Sequence, residues 1–178
     1  MSASRQRSKI LLFQWRDSAY DSLRYLQDLL GNEFLSMGFE LERVTLGDDG
    51  WSDRLQQLLN GEEILFAMGF SGVGSDLLTE DQRLIWESAR TPFFNWCCDH
   101  PCYFPKRHAI SSQWLIHGFV FPDHAQYSVE HFNATGMTSH AHLAMPPVSA
   151  FDATHLPMSQ RNHRIIYTKS GKDTKLIE

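Results

Sequence analysis

Short apolar runs bounded by charge alternate along the chain with longer segments whose apolar residues recur every three or four positions. "KILLFQW" (Lys9–Trp15) is the first run, and apolar residues without polar interruption over that length are the pattern of a strand buried on both faces. "SAYDSLRYLQDLLGNEFLSMGFE" follows, with Leu23, Leu26, Leu29 and Leu30 at helical spacing and Phe34, Leu35 and Met37 carrying the pattern to Gly38. "FELERVTL" (Phe39–Leu46) alternates as a half-exposed strand does, and "WSDRLQQLLNGEE" puts Trp51, Leu55, Leu58 and Leu59 on one helical face before Gly61. The unit then recurs. "EILFAMGF" (Glu63–Phe70) reads as a third strand, "TEDQRLIWESAR" as a helix capped by Thr79, and "TPFFNWCC" (Thr91–Cys98) as a fourth strand. "IHGFVF" and "HAHLAM" are expected to be further strands on either side of a helix over Asp123–Thr135.

Helix-length connections between buried strands require parallel pairing with right-handed crossovers. The expected class is therefore α/β, a Rossmann-like doubly wound parallel sheet. If its first half has the order 3-2-1 and continues at strand 4, strand 1 is central and strand 4 lies beside it. The domain is placed at residues 9–145. From Pro146 the pattern fails: "PPVSAFDATHLPMSQRNH" holds prolines without periodicity, which suits a linker over 146–160. "RIIYTKSG" then reads as a strand and a glycine turn. One βα unit cannot bury its own faces, so 161–178 is expected to open a second α/β domain of a truncated sequence; the alternative is a last strand of the same sheet.

Composition narrows the function classes. A formal net charge of −5 with no basic cluster disfavours nucleic acid. No apolar run reaches the ~20 residues that cross a bilayer, and "MSASRQRSK" leads into only a short apolar stretch, so neither a membrane span nor a signal peptide is expected. Three cysteines, two of them adjacent, do not make a disulfide framework, which points to a reducing cytoplasm.

Ligands of open α/β sheets bind outside the carboxyl ends of the strands, where strand order reverses. With the expected order, that crevice lies between "QWRDS" after strand 1 and "CCDHP" after strand 4. Asp99 and His100 are the candidate catalytic residues there, because a carboxylate accepts a proton from a hydroxyl or holds a sugar by paired hydrogen bonds. Gln14, Trp15, Arg16 and Pro101 are candidate substrate-binding neighbours. Capping of the turn at Pro101 is the alternative role for Asp99. "FSGVGSD" (Phe70–Asp76) adds Ser71, Gly72 and Gly74 as candidate binding residues, since glycine lets backbone approach a ligand; it lacks the lysine of a P-loop. Cys97, Cys98, His100, Cys102 and His108 invite a zinc reading, but Cys97 and Cys98 alternate faces on a strand and the CxxC pair is missing, so no metal is expected. A hydrolase using Cys98 or Cys102 with a histidine is a further alternative.

"TPFFNWCCDHPCYFPKR" resembles the amino-terminal domains of bacterial GT-B-like glycosyltransferases, including those related to the CgeB spore maturation protein, in which a motif of the form IPFV-W-x-x-D-x-P ends the fourth strand. "GFVFPDHAQYSVEHF" and "HLAMPPV" extend the similarity over about residues 9 to 170. The resemblance implies an acceptor-side domain that takes a sugar or other hydroxyl-bearing acceptor, with Asp99, His100 and Pro101 in the cleft motif. Nothing in the chain corresponds to the second domain. Hence no cofactor is expected here, a nucleotide sugar being expected only with that domain, and the chain alone should not transfer sugar. A receiver- or sensor-like module binding a small ligand or a protein is the rival reading.

Overall fold

A computed structural model describes residues 9–16, 22–133 and 135–143; the expected linker and second-domain opening lie outside them. Six parallel strands form one sheet in the order β2-β1-β3-β4-β5-β6. They are β1 (Lys9–Trp15), β2 (Glu40–Leu46), β3 (Ile64–Phe70), β4 (Phe93–Cys97), β5 (Leu115–Phe119) and β6 (Ser139–His142). Helices α1 (Ser22–Ser36), α2 (Trp51–Gly61), α3 (Ile85–Ala89), α4 (Pro105–His108) and α5 (Pro122–Phe132) connect them. The class read from the pattern, α/β with a Rossmann-like parallel sheet, is the one observed.

β1 shows why its residues make a central strand. Leu11 and Phe13 enter one apolar cluster, with Val44, Ala67, Trp86, Phe93 and Leu115, while Ile10 and Leu12 enter the other with Met68. Strand geometry sends successive side chains to opposite faces, so four consecutive apolar residues fill both layers. Each fully buried aliphatic or aromatic side chain contributes roughly 1.5–3 kcal/mol of apolar transfer. α2 covers the first face with buried Leu55 and Leu58, and α1 covers the second with Leu30 and Phe34. Gln27 of α1 also donates from Nε2 to the carbonyl of Phe13 at 2.6 Å.

Two sequence-based expectations need correction. β3, not β4, pairs with β1, so the strand order reverses between β1 and β3 and β4 lies one strand further out. Apolar runs report burial but not neighbours, and β1, β3 and β4 are all buried. The helix expected from Thr79 begins only at Ile85. Thr79 instead closes a turn: its N–H donates to the Arg83 carbonyl at 2.8 Å and its Oγ1 accepts from the Arg83 N–H at 3.2 Å, while Leu78 and Leu84 form an antiparallel bridge. Thr hydroxyls compete locally for backbone groups in this way.

Candidate functional site at the carboxyl edge of the sheet

The segment after β3 does not stand out from the sheet. It folds back over it. Gly69 lacks a side chain where one would meet the carbonyl oxygen of Val73, its hypothetical Cβ lying 2.0 Å from that atom. Gly74 has φ of +90° and packs on the Phe13 ring, with Cγ 2.7 Å from where a Cβ would stand. Gly72 and Gly74, both with positive φ, thus serve a tight return for which Gly69 leaves room. Cross-links hold it down: Gly72 N–H donates to Asn95 Oδ1 at 2.7 Å, Trp86 Nε1 donates to the Gly74 carbonyl at 2.8 Å, and Arg107 Nη1 donates to the Ser71 carbonyl at 2.8 Å. Arg107 also lies 3.5 Å from the Asp76 carboxylate.

This return aims Ser71 at the end of β4. Ser71 Oγ donates to Asp99 Oδ2 at 2.7 Å. Asp99 itself is exposed, and among the described residues its Oδ1 has no hydrogen-bond donor. The backbone then turns through Pro101–Tyr103, a 3-10 turn with Pro101 buried. His100 Nδ1 accepts from the Cys102 N–H at 3.2 Å and so caps that turn. Its ring packs against His124 and Tyr127 of α5, each with centroids 4.7 Å away. The turn-capping role weighed for Asp99 is filled by His100. Asp99 is tied to Ser71.

The β1 end is only partly joined to this pair. Gln14 Nε2 donates to Thr45 Oγ1 of β2 at 2.6 Å, and the Arg16 N–H donates to the Leu46 carbonyl at 3.1 Å. Gln14 and Trp15 share with Phe70 and Val73 a cavity of about 30 Å³ between β1 and β3, far below the several hundred Å³ of ordinary ligand pockets. Trp15 is half exposed at its rim. Of the sequence-predicted residues, the structure brings Ser71 to Asp99 and Gln14 and Trp15 to the β3 end; β3 stands between the two groups. Gly72 and Gly74 are buried with backbone groups already engaged.

Cys97 is buried at the end of β4, Cys98 just past the strand is half-buried rather than a buried strand residue, and Cys102 in the following turn is exposed. Burial and the neighbouring Asp99 charge push the Cys98 thiol up to about 11. A nucleophilic cysteine needs the opposite shift, which removes support from the hydrolase alternative at Cys98. What sequence reasoning missed is a polar row inside the first face: Asn95, His117 and His140 stand in register on β4, β5 and β6. Asn95 and His117 are fully buried, with Asn95 Nδ2 3.1 Å from His117 Nδ1. The only sequence signal was a histidine and an asparagine interrupting apolar strands. Cys97 also meets His108 and His117, brought in by other elements, a convergence that its adjacency to Cys98 does not forbid.

Two larger, open grooves among the described residues lie away from the carboxyl edge. A groove of about 550 Å³ runs between α2 and residues 77–89, and one of about 510 Å³ lies on the second face over Phe66, Phe94 and Trp96. Among the described residues, no helix is long and apolar enough to cross a membrane. Comparison with protein-family models, with curated proteins and with solved structures found no match for the chain.

Proposed function

We propose that the chain is a ligand-binding α/β domain for a hydroxyl-bearing small molecule, of the acceptor-side kind found in GT-B-like glycosyltransferases, with Asp99 as its principal polar contact. The observation that carries this reading is the Ser71–Asp99 pair: an exposed carboxylate just past a buried parallel strand, one oxygen fixed by a hydroxyl from the neighbouring strand end. Tethering through Oδ2 reduces the rotamer freedom that binding would otherwise cost. It leaves Oδ1 to accept from an acceptor hydroxyl, and a carboxylate so placed can take the proton as that hydroxyl becomes a nucleophile. Trp15, half exposed at the end of β1, offers an apolar face to a sugar ring. Sugar transfer on this reading requires a nucleotide-sugar-binding partner domain. His100, whose Nδ1 accepts from the Cys102 N–H, caps the turn that follows Asp99.

Saturation-transfer NMR with a panel of methyl hexopyranosides tests the reading on the chain as it stands. At least one glycoside should bind, and Asp99→Asn should weaken it tenfold or more while the thermal midpoint moves little, because the amide keeps the shape and loses the charge. Glycoside binding that is unchanged in Asp99→Asn, or no binding across the panel, would remove the sugar-acceptor reading.

A further inference from the structure

Behind the rim, side chains from three elements converge inside the domain. Cys97 ends β4, His117 sits at the middle of β5 and His108 closes α4; each offers one donor atom, and these atoms lie within 4.8 Å of one another. Their exposures are 1%, 0% and 4%. His108 Nδ1 and His117 Nε2 are buried without a hydrogen-bond partner. Buried polar atoms are ordinarily paired, and those left over need a reason. His140, the next ring along at 5.6 Å between centroids from His117, shows the contrast: its Nε2 lies 3.1 Å from Ser128 Oγ and its Nδ1 lies 3.0 Å from the Thr138 carbonyl.

We propose that Cys97, His108 and His117 bind a single thiophilic closed-shell cation, Zn(II) or Cu(I). A thiolate with two imidazoles is the donor set these ions select. Bond lengths of about 2.3 Å to sulfur and about 2.0 Å to nitrogen require the donor atoms to draw in by roughly an ångström. Burial favours a site whose charges cancel. A thiolate cancels Cu(I) outright and leaves one net positive charge on a Zn(II) site.

The proton balance ties the site to the rim. Without an ion, the Gly72 N–H occupies Asn95 Oδ1, so Asn95 Nδ2 donates to His117 Nδ1 and the ring proton sits on Nε2. Coordination through Nε2 moves that proton to Nδ1. Asn95 must then turn its oxygen to the ring, as partners of metal-bound histidines do, and the Gly72 N–H is released. The thiol proton of Cys97 leaves to solvent, giving one proton released per ion. Ion binding therefore loosens the return that carries Ser71.

Chelator-stripped protein titrated with Zn(II) against a chromophoric chelator, with Co(II) for its thiolate charge-transfer band, and anaerobically with Cu(I) against a Cu(I) chelator, tests the proposal. One ion per chain should bind, and the two titrations decide which cation is preferred. Cys97→Ser should abolish the Co(II) band and weaken binding at least a hundredfold, whereas Cys98→Ser and Cys102→Ser should leave both unchanged. Circular dichroism of the metal-free forms checks that each variant folds. Long-range ¹⁵N–¹H spectra of the wild-type histidine rings read the same point with no variant: the His108 and His117 signals should shift on metal addition. No stoichiometric binding, binding retained in folded Cys97→Ser, or histidine signals from other residues shifting instead would overturn the proposal.

Discussion

Gly74 concentrates what the carboxyl edge asks of single residues. Its φ of +90° is a region that L side chains avoid, and a Cβ there would stand 2.7 Å from the Phe13 ring. Gly136 has a similar φ of +68° but open space around it. Alanine at Gly136 meets backbone strain alone, about 1–2 kcal/mol, whereas alanine at Gly74 adds overpacking of about 1–3 kcal/mol against a ring that β1 holds rigidly. Urea unfolding should find Gly74→Ala the more destabilised of the two by about 1 kcal/mol or more; equal losses would mean that Phe13 yields. At this scale legibility was uneven. Glycines in "FSGVGSD" were visible as a sign of special backbone, but a ligand approaching and a chain folding back make the same demand on sequence. Asp99 was singled out because it follows an apolar run and stands two residues before a proline. Asn95 and His117 were not, since a buried polar residue is recognised by its partner, and theirs come from another strand and from the Gly72 backbone.

Elements were read with most success where burial alone defines them. "KILLFQW" is β1 to the residue, and β2, β3 and β4 differ from expectation only at their ends. α4 escaped the periodic reading because it is only four residues long and opens on Pro105, although proline also opens short helices. α3 was overextended because Leu84, Ile85 and Trp86 fit a helical face whose first turns Thr79 had already taken for another purpose. Despite its length, α3 matters to the site: Trp86 is fully buried, and its Nε1 holds the Gly74 carbonyl. Trp86→Phe keeps most of the aromatic contact with Phe13 and Phe93 and leaves that carbonyl without its donor. The expected loss is about 1–3 kcal/mol, with faster amide exchange at Gly72 and Ser75, whose N–H groups belong to the same return. A similar stability loss without local exchange would assign the effect to packing alone.

For the molecule as a whole, alternation of strand and helix disclosed the class, and strand order escaped because nothing in an apolar run names its neighbour. The same burial that hid the histidine row makes it a determinant of stability. Burial first, then the neighbouring His140, Arg107 and His100 charges, holds the His108 imidazole down at about 4; burial, then His108 and His140, holds His117 at about 3. Across β4, the thiol of Cys97 faces both rings and is pushed upward by burial, so it stays neutral and supplies no countercharge. Both rings are therefore neutral in the folded metal-free protein where the unfolded chain, near 6.5, binds protons. The sign follows from linkage: below about pH 6.5 the unfolded state binds more protons than the folded state, so stability falls as pH falls. The contribution is complete above about pH 6.5 and is lost as pH drops toward the folded-state values of about 4 and 3, with a limiting slope of about 1.4 kcal/mol per pH unit for each ring. Urea unfolding of chelator-treated protein at pH 7.5, 6 and 5 should thus show a falling midpoint over a range in which most carboxylates stay ionised. A midpoint flat from pH 7.5 to 5 would mean that both rings ionise in the folded protein with compensation from groups that the interior does not supply.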